Sequence, residues 1–182
     1  MGSSDPTSSL GFTDRWLALG VVTREQIEAL GGEFESSSDK NPEHYRYGAF
    51  RDYLAAHRPL PPAIAEALYS LGEADPDRGM GGAMMVDIAC LPECPPAVRD
   101  RALASGEHGL VAAARRAVLI ADLGRGLTEE LFERCLTADD GAIHRALVAR
   151  PELTRRQLER IAEAGANKAV SNLAAVRLRG LR

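Results

Sequence analysis

The feature that most constrains this chain is that it repeats itself. Four segments share one order of residues: a chain reversal with an apolar anchor, Pro or Thr opening a helix, a turn containing Gly, then an Ala-rich helix. They open at Leu60-Pro61-Pro62, Cys94-Pro95-Pro96, Leu127-Thr128 and Leu153-Thr154, at successive spacings of 34, 33 and 26 residues. A segment of that length with apolar residues three or four apart reads as a helical hairpin. Leu60, Ile64 and Leu68 form such a stripe, as do Leu127, Leu131 and Cys135, and Leu158 with Ile161 and Ala162. On the second helices the inward positions are expected to be Leu110, Ala114, Ala117, Val118 and Ala121, then Ile143, Ala146, Leu147 and Arg150. Faces of this kind are buried only against a neighbouring hairpin, so the units are expected to stack. The expected fold class is therefore all-α: a short right-handed stack of helical hairpins, an α-solenoid, preceded by an N-terminal helical hairpin. Composition agrees, with aromatics at 5% and a high content of Ala, Leu and Arg.

The expected divisions are a flexible tail over 1–12, an N-terminal helical region over 13–57 and the repeats over 58–182. In the middle region Trp16, Leu17 and Leu19 form an apolar patch, and Gly20 ends that helix. Thr23-Arg24-Glu25-Gln26 has the form of a capping box, opening a helix that Gly31-Gly32 is expected to close. A polar, Ser-rich loop over 35–41 then precedes a helix over 42–57 with Tyr45, Ala49, Phe50, Tyr53, Leu54 and His57 on one stripe.

The stretch Ala146-Leu-Val-Ala-Arg-Pro-Glu-Leu-Thr-Arg-Arg-Gln-Leu-Glu-Arg-Ile-Ala162 resembles the leucine-rich-variant and HEAT-like helical repeats common in bacteria. The resemblance covers about 120 residues from Ala56 onward and is clean over the last two units. It implies an extended surface that binds another protein, as in the small acidic immunity or adaptor proteins that mask a toxin or scaffold a complex. Leucine-rich-variant proteins can carry an iron–sulfur cluster in a separate Cys-rich segment. This sequence has no such segment, so the resemblance brings no cofactor with it.

Residue-level chemistry points the same way. Cys90, Cys94 and Cys135 are an odd set without a second Cys/His pair at metal-site spacing, so neither a disulfide framework nor a metal site is expected. His44, His57, His108 and His144 are scattered, with none at the i,i+4 spacing of a zinc helix. The Gly-rich segment 72–82 reads as a connecting loop needing positive φ angles, as an anion-binding nest at Gly79, Gly81 and Gly82, or as a calcium loop using Asp75 and Asp77. Asp87, inside the apolar run Met84-Met85-Val86-Asp87-Ile88, reads as an outward or helix-bonding carboxylate, or as a buried catalytic acid. Residues 75–87 are thus the place where an enzyme's site would lie. The start Met-Gly-Ser-Ser-Asp-Pro has neither the basic region nor the apolar run of a secretory leader, and no stretch is long enough to span a bilayer. A cytoplasmic location without membrane contact is expected.

Charge is unevenly distributed. Residues 1–95 hold 7 basic and 15 acidic residues, residues 96–144 hold 6 and 8, and residues 145–182 hold 9 and 3, within a net charge of −4. This is either an ordinary solvated helical surface rich in Arg or a polarised molecule with a basic end for an acidic partner. On the second reading Lys168, Asn172, Ala175 and Arg179 form one stripe of the final helix, continued by His144 and Arg145 and by Arg115 and Arg116. This ladder is the expected partner-binding surface of a non-catalytic protein-binding module whose partner is an acidic protein. The alternative is a nucleic-acid-binding protein. Against it stand the net charge and the lack of Phe, Tyr or Trp after Phe132.

Overall fold

In the computed structural model, which describes residues 9–181, the chain is all-helical, with no strand among the described residues. No helix is long and apolar enough to cross a membrane among those residues. The chain forms two compact units, Met1–Val111 and Ala112–Arg182, a division that falls well beyond the boundary at 57 and 58 that the sequence suggests. Of the tail expected over 1–12, residues 1–8 lie outside the described residues. The remainder is no tail, because Leu10 and Phe12 are buried.

Unit 1 contains α1 (Asp14–Ala18), α2 (Arg24–Ser36), α3 (Pro42–Ala56), α4 (Pro62–Glu73), α5 (Arg78–Ala89) and α6 (Pro96–Ala104). Proline sits in the first turn of α3, α4 and α6, where its missing N–H costs no helical hydrogen bond. Thr23 and Gln26 close the capping box expected at α2. That helix continues through Gly31-Gly32 to Ser36, contrary to the sequence reading. Glycine weakens a helix interior by about 1 kcal/mol, which does not end it where packing holds, and Gly31 is buried. Helix α3 packs on α2 and α5, while α4, α5 and α6 pack on one another. Trp16, Phe50, Leu68, Tyr69, Met84 and Ile88 are almost wholly enclosed in this core.

The segment 72–82 is not a glycine-rich loop. Only a short turn separates α4 from α5; Asp77 caps α5 by accepting from the Met80 amide at 2.7 Å, and Gly79, Gly81 and Gly82 are helical. None of these glycines has a positive φ. They serve packing instead: a Cβ on Gly81 would lie 2.3 Å from the Gly72 carbonyl oxygen, so the two helices touch backbone to backbone there.

Helix α7 (His108–Arg125) contains the division between the units. Unit 2 comprises its later part with α8 (Glu129–Leu136), α9 (Gly141–Val148), α10 (Arg155–Ala164) and α11 (Lys168–Gly180). Helix α9 packs on α8, α10 and α11, and α10 packs along α11. Leu119, Leu131, Phe132, Ile143, Leu147, Leu158, Ile161 and Val170 share one core. On α7 Leu110, Ala113, Ala114, Leu119 and Leu123 are buried, so the expected Leu110 and Ala114 do turn inward, whereas Ala117, Val118 and Ala121 are only half-buried. The leucines carry more apolar surface than the alanines and decide which face turns inward.

The four expected repeat openings share one register. Helices α4, α6, α8 and α10 each begin two residues after the anchors Leu60, Cys94, Leu127 and Leu153. Leu60, Cys94 and Leu153 are buried and Leu127 is half-buried.

Candidate functional site

The expected ladder falls wholly within unit 2; Ala175 is half-buried, and its polar members divide into three groups. Arg115, Arg145, Lys168, Asn172 and Arg179 are exposed. Among the described residues, none of these four cations makes an ion pair. Their neighbours differ: Arg125 and Arg134 meet Asp122, Arg150 meets Glu152, Arg160 meets Glu133, and Arg177 donates to the carbonyls of Val148 and Arg150.

Arg116 belongs to the second group. Its Nε donates to Asp140 Oδ2 at 2.7 Å, and Asp140 is the N-cap of α9, accepting from the amides of Ala142 at 2.7 Å and Ile143 at 3.2 Å. Burial pushes the Asp140 carboxyl up, but the Arg116 guanidinium and the two amides outweigh it and hold the group below its ordinary value. Arg116 therefore secures the start of α9.

His144 does not belong to the surface on which the sequence places it. It has no exposed surface and cannot contact a partner. Ile143, His144, Leu147 and Val148 form the inward face of α9, and the backbone satisfies the ring. Its Nε2 faces the carbonyls of Cys135 at 3.0 Å and Leu136 at 3.1 Å, while its Nδ1 accepts from the Ala166 amide at 2.9 Å. This pattern fixes a neutral ring with the proton on Nε2. The imidazole latches the end of α8 and the turn before α11 onto α9.

The structure brings Arg145 close to the start of α11. A Cβ on Gly141 would lie 2.5 Å from Asn167 Nδ2 and 3.7 Å from Arg145 Nη1, so both side chains converge on that glycine. Asn167 caps α11, immediately before Lys168. Arg179 stands eleven residues further along the same helix, roughly 16 Å at 1.5 Å per residue.

Sequence reasoning missed the apolar side chains beside this basic strip. Leu173 is 46% and Val176 55% exposed, one turn apart on α11. The signal was available: Lys168–Gly180 has more apolar residues than one inward face can hold, and only Val170 and Ala174 are buried.

In unit 1 Arg46 and the carboxylates of the segment 75–87 hold the fold. Arg46 is buried on α3; its Nη1 donates to the Leu10 carbonyl at 2.6 Å and its Nη2 to Asp75 Oδ1 at 3.1 Å. Asp87 is half-buried and accepts from the Tyr47 hydroxyl at 2.9 Å, with Arg51 Nε at 3.6 Å. Cys94 in unit 1 and Cys135 in unit 2 are buried, and burial pushes the Cys135 thiol up to about 11. Among the described residues no group of three or more His, Cys, Asp or Glu side chains is arranged to hold a metal ion.

Compared with protein-family models, curated proteins and solved structures, the chain matches none.

Proposed function

We propose that this chain is a non-catalytic protein-binding module, built as a short HEAT-like stack of helical hairpins, and that unit 2 seats an acidic partner protein. The observation that carries this reading is the set of cations left without carboxylates. Among the described residues, Arg115, Arg145, Lys168 and Arg179 stand exposed and without an ion pair in a unit where six other arginines have found a carboxylate or a carbonyl. Beside them, Leu173 and Val176 supply apolar area of the kind that makes an interface more than a purely electrostatic encounter.

The shared register of the four first helices supports the stacked-hairpin reading. The narrower reading, a bacterial immunity or adaptor protein in the cytoplasm, rests on the resemblance of the last two units. An enzyme's site around 75–87 is less well supported, because Asp75, Asp77 and the glycines each already have a part in helix capping and packing.

The test is charge reversal. Arg145→Glu with Lys168→Glu is expected to weaken association with the native partner at least tenfold at low salt, while the melting temperature barely moves, since exposed charges contribute little to stability. Unchanged affinity would reduce the strip to a solvated face. A gel shift with duplex and single-stranded nucleic acid at roughly 50 mM salt addresses the alternative, because even a few phosphate contacts register there. No shift at micromolar protein is expected.

A further inference from the structure

Unit 1 contains a groove of about 880 Å³ bounded by α2, α3 and the turn that precedes α2. Its helical walls carry Ala29, Gly48, Ala49 and Ala56, small residues that leave room for side chains from outside. Val21, Val22 and Leu30 add apolar surface, and Tyr45 and Tyr53 line it from α3. Glu33, Asp39 and Asp52 supply carboxylates, and no Lys or Arg is among its lining residues. The groove's two histidines are already engaged: His44 Nδ1 bonds Asp39 at 2.8 Å, and the His57 ring stacks on Tyr53. A helix with apolar knobs and flanking cations is the occupant this lining fits.

One such helix face is present in the molecule. Leu173 and Val176 are exposed on α11, and Lys168 and Arg179 flank them without an ion pair among the described residues. Of the five large apolar side chains exposed among the described residues, Leu173, Val176 and Leu181 all belong to α11 or its C-cap. The lengths match as well. Helices α2 and α11 are both 13 residues, about 20 Å at 1.5 Å per residue. The charges are also complementary: residues 1–111 carry 9 basic and 17 acidic residues, and residues 112–182 carry 13 and 9. Unlike units of two copies attract, and like units repel.

We propose that α11 of one copy docks in the α2–α3 groove of a second, so that the chain self-associates head to tail. The proposal rests on the reading of α11 as a docking face and identifies the acidic surface it meets. Because the two patches differ, the contact is heterologous and extends into chains unless the geometry closes a ring. One helix in one groove is a small interface, under about 1,200 Å², so the association is weak and concentration-dependent.

Sedimentation velocity on the full chain over roughly 5–200 µM, at about 50 mM and about 500 mM salt, reads this directly. The wild type is expected to rise above the mass of one chain with concentration at low salt and to return toward it at high salt. Two variants split the interface. Leu173→Asp with Val176→Asp spoils the helix face, and Ala29→Gln with Asp52→Lys fills the groove and reverses its charge. All four positions are partly or fully exposed, and circular dichroism checks that each variant keeps its helices. Each variant alone is expected to remain monomeric. Mixed in equal amounts, they form a dimer that cannot extend, because each retains the half that the other has lost. A wild type that stays monomeric throughout, or a mixture that fails to dimerise when the wild type associates, overturns the proposal. Neither result touches the acidic-partner reading, which stands or falls with the Arg145→Glu, Lys168→Glu variant and the native partner.

Discussion

Units 1 and 2 each bury a polar side chain at a point where several segments meet, and they hold it in opposite ways. Unit 1 encloses a charge, Arg46, against a carboxylate and a carbonyl. Unit 2 encloses a neutral imidazole, His144, among backbone groups alone. An enclosed ion depends on its counter-ion far more than a neutral donor depends on one carbonyl, because a stranded charge has no water to return to. The two units should therefore respond differently to loss of the group, and the difference can be measured.

The largest effect is expected in unit 1. Arg46→Ala strands the buried Asp75 carboxylate and the Leu10 carbonyl, and should lower stability by about 3–5 kcal/mol in urea unfolding. A loss under about 1 kcal/mol would mean that water replaces the guanidinium without penalty. In unit 2, Leu147→Ala should cost about 2–5 kcal/mol, and Leu131→Ala should fall nearer the lower end because it keeps slight exposure. Changes below about 0.5 kcal/mol at both positions would show that these faces do not form the core.

A smaller loss is expected at the latch. His144→Phe keeps the ring volume but orphans the Ala166 amide, for a cost of about 1–3 kcal/mol. Hydrogen exchange should show the Ala166 amide losing protection before the core of α9 does. A neutral outcome would reduce the latch to a space-filling ring.

The smallest effect is confined to acid. Asp140 is held below its ordinary 3.8 in the folded protein, so the stability it contributes is complete above pH 3.8 and is lost as the pH falls through the lower folded value. Asp140→Asn keeps a cap for α9 but removes that titration and weakens the hold on Arg116. The variant should therefore lose less stability than the wild type between pH 4 and the acid limit, as circular dichroism melts across that range would show. Equal acid sensitivity would place it elsewhere.

What the sequence revealed was local, and what it concealed was remote. Thr23, Thr128 and Thr154 announce their helices because a cap bonds an amide three residues on. Proline does the same for α3, α4 and α6. Glycine gives no such single message. At Gly31-Gly32 and at 79–82 it reads as a break, yet it lies inside helices and at Gly81 admits a neighbouring backbone 2.3 Å from its absent Cβ. No neighbouring residue distinguishes those uses. His144 and Arg46 were hidden for a related reason, since their partners lie 8 to 36 positions away and a polar side chain on a helix reads as solvent-facing until they are known. For the candidate face, the exposed cations were legible from their spacing on α11. That α11 has apolar residues to spare was legible too, but that Leu173 and Val176 are the surplus was not, because which apolar stripe turns inward depends on α9 and α10.

The central claim is that the cationic face of unit 2 seats on a carboxylate-bearing surface of another molecule. Lys168 tests it directly, because the chain has only one other lysine, Lys40. Carbodiimide joins a lysine amine to a carboxylate only when the two are in contact, so cross-linking in extracts of the cells that make the protein, at roughly 50 mM salt, can be read by mass spectrometry at this one residue. The account predicts Lys168 joined to an Asp or Glu of another molecule, a partner protein or a second copy distinguished by isotope labelling, with the cross-link lost on Arg145→Glu or at high salt. Lys168 left unmodified, or joined only within its own chain, would contradict it.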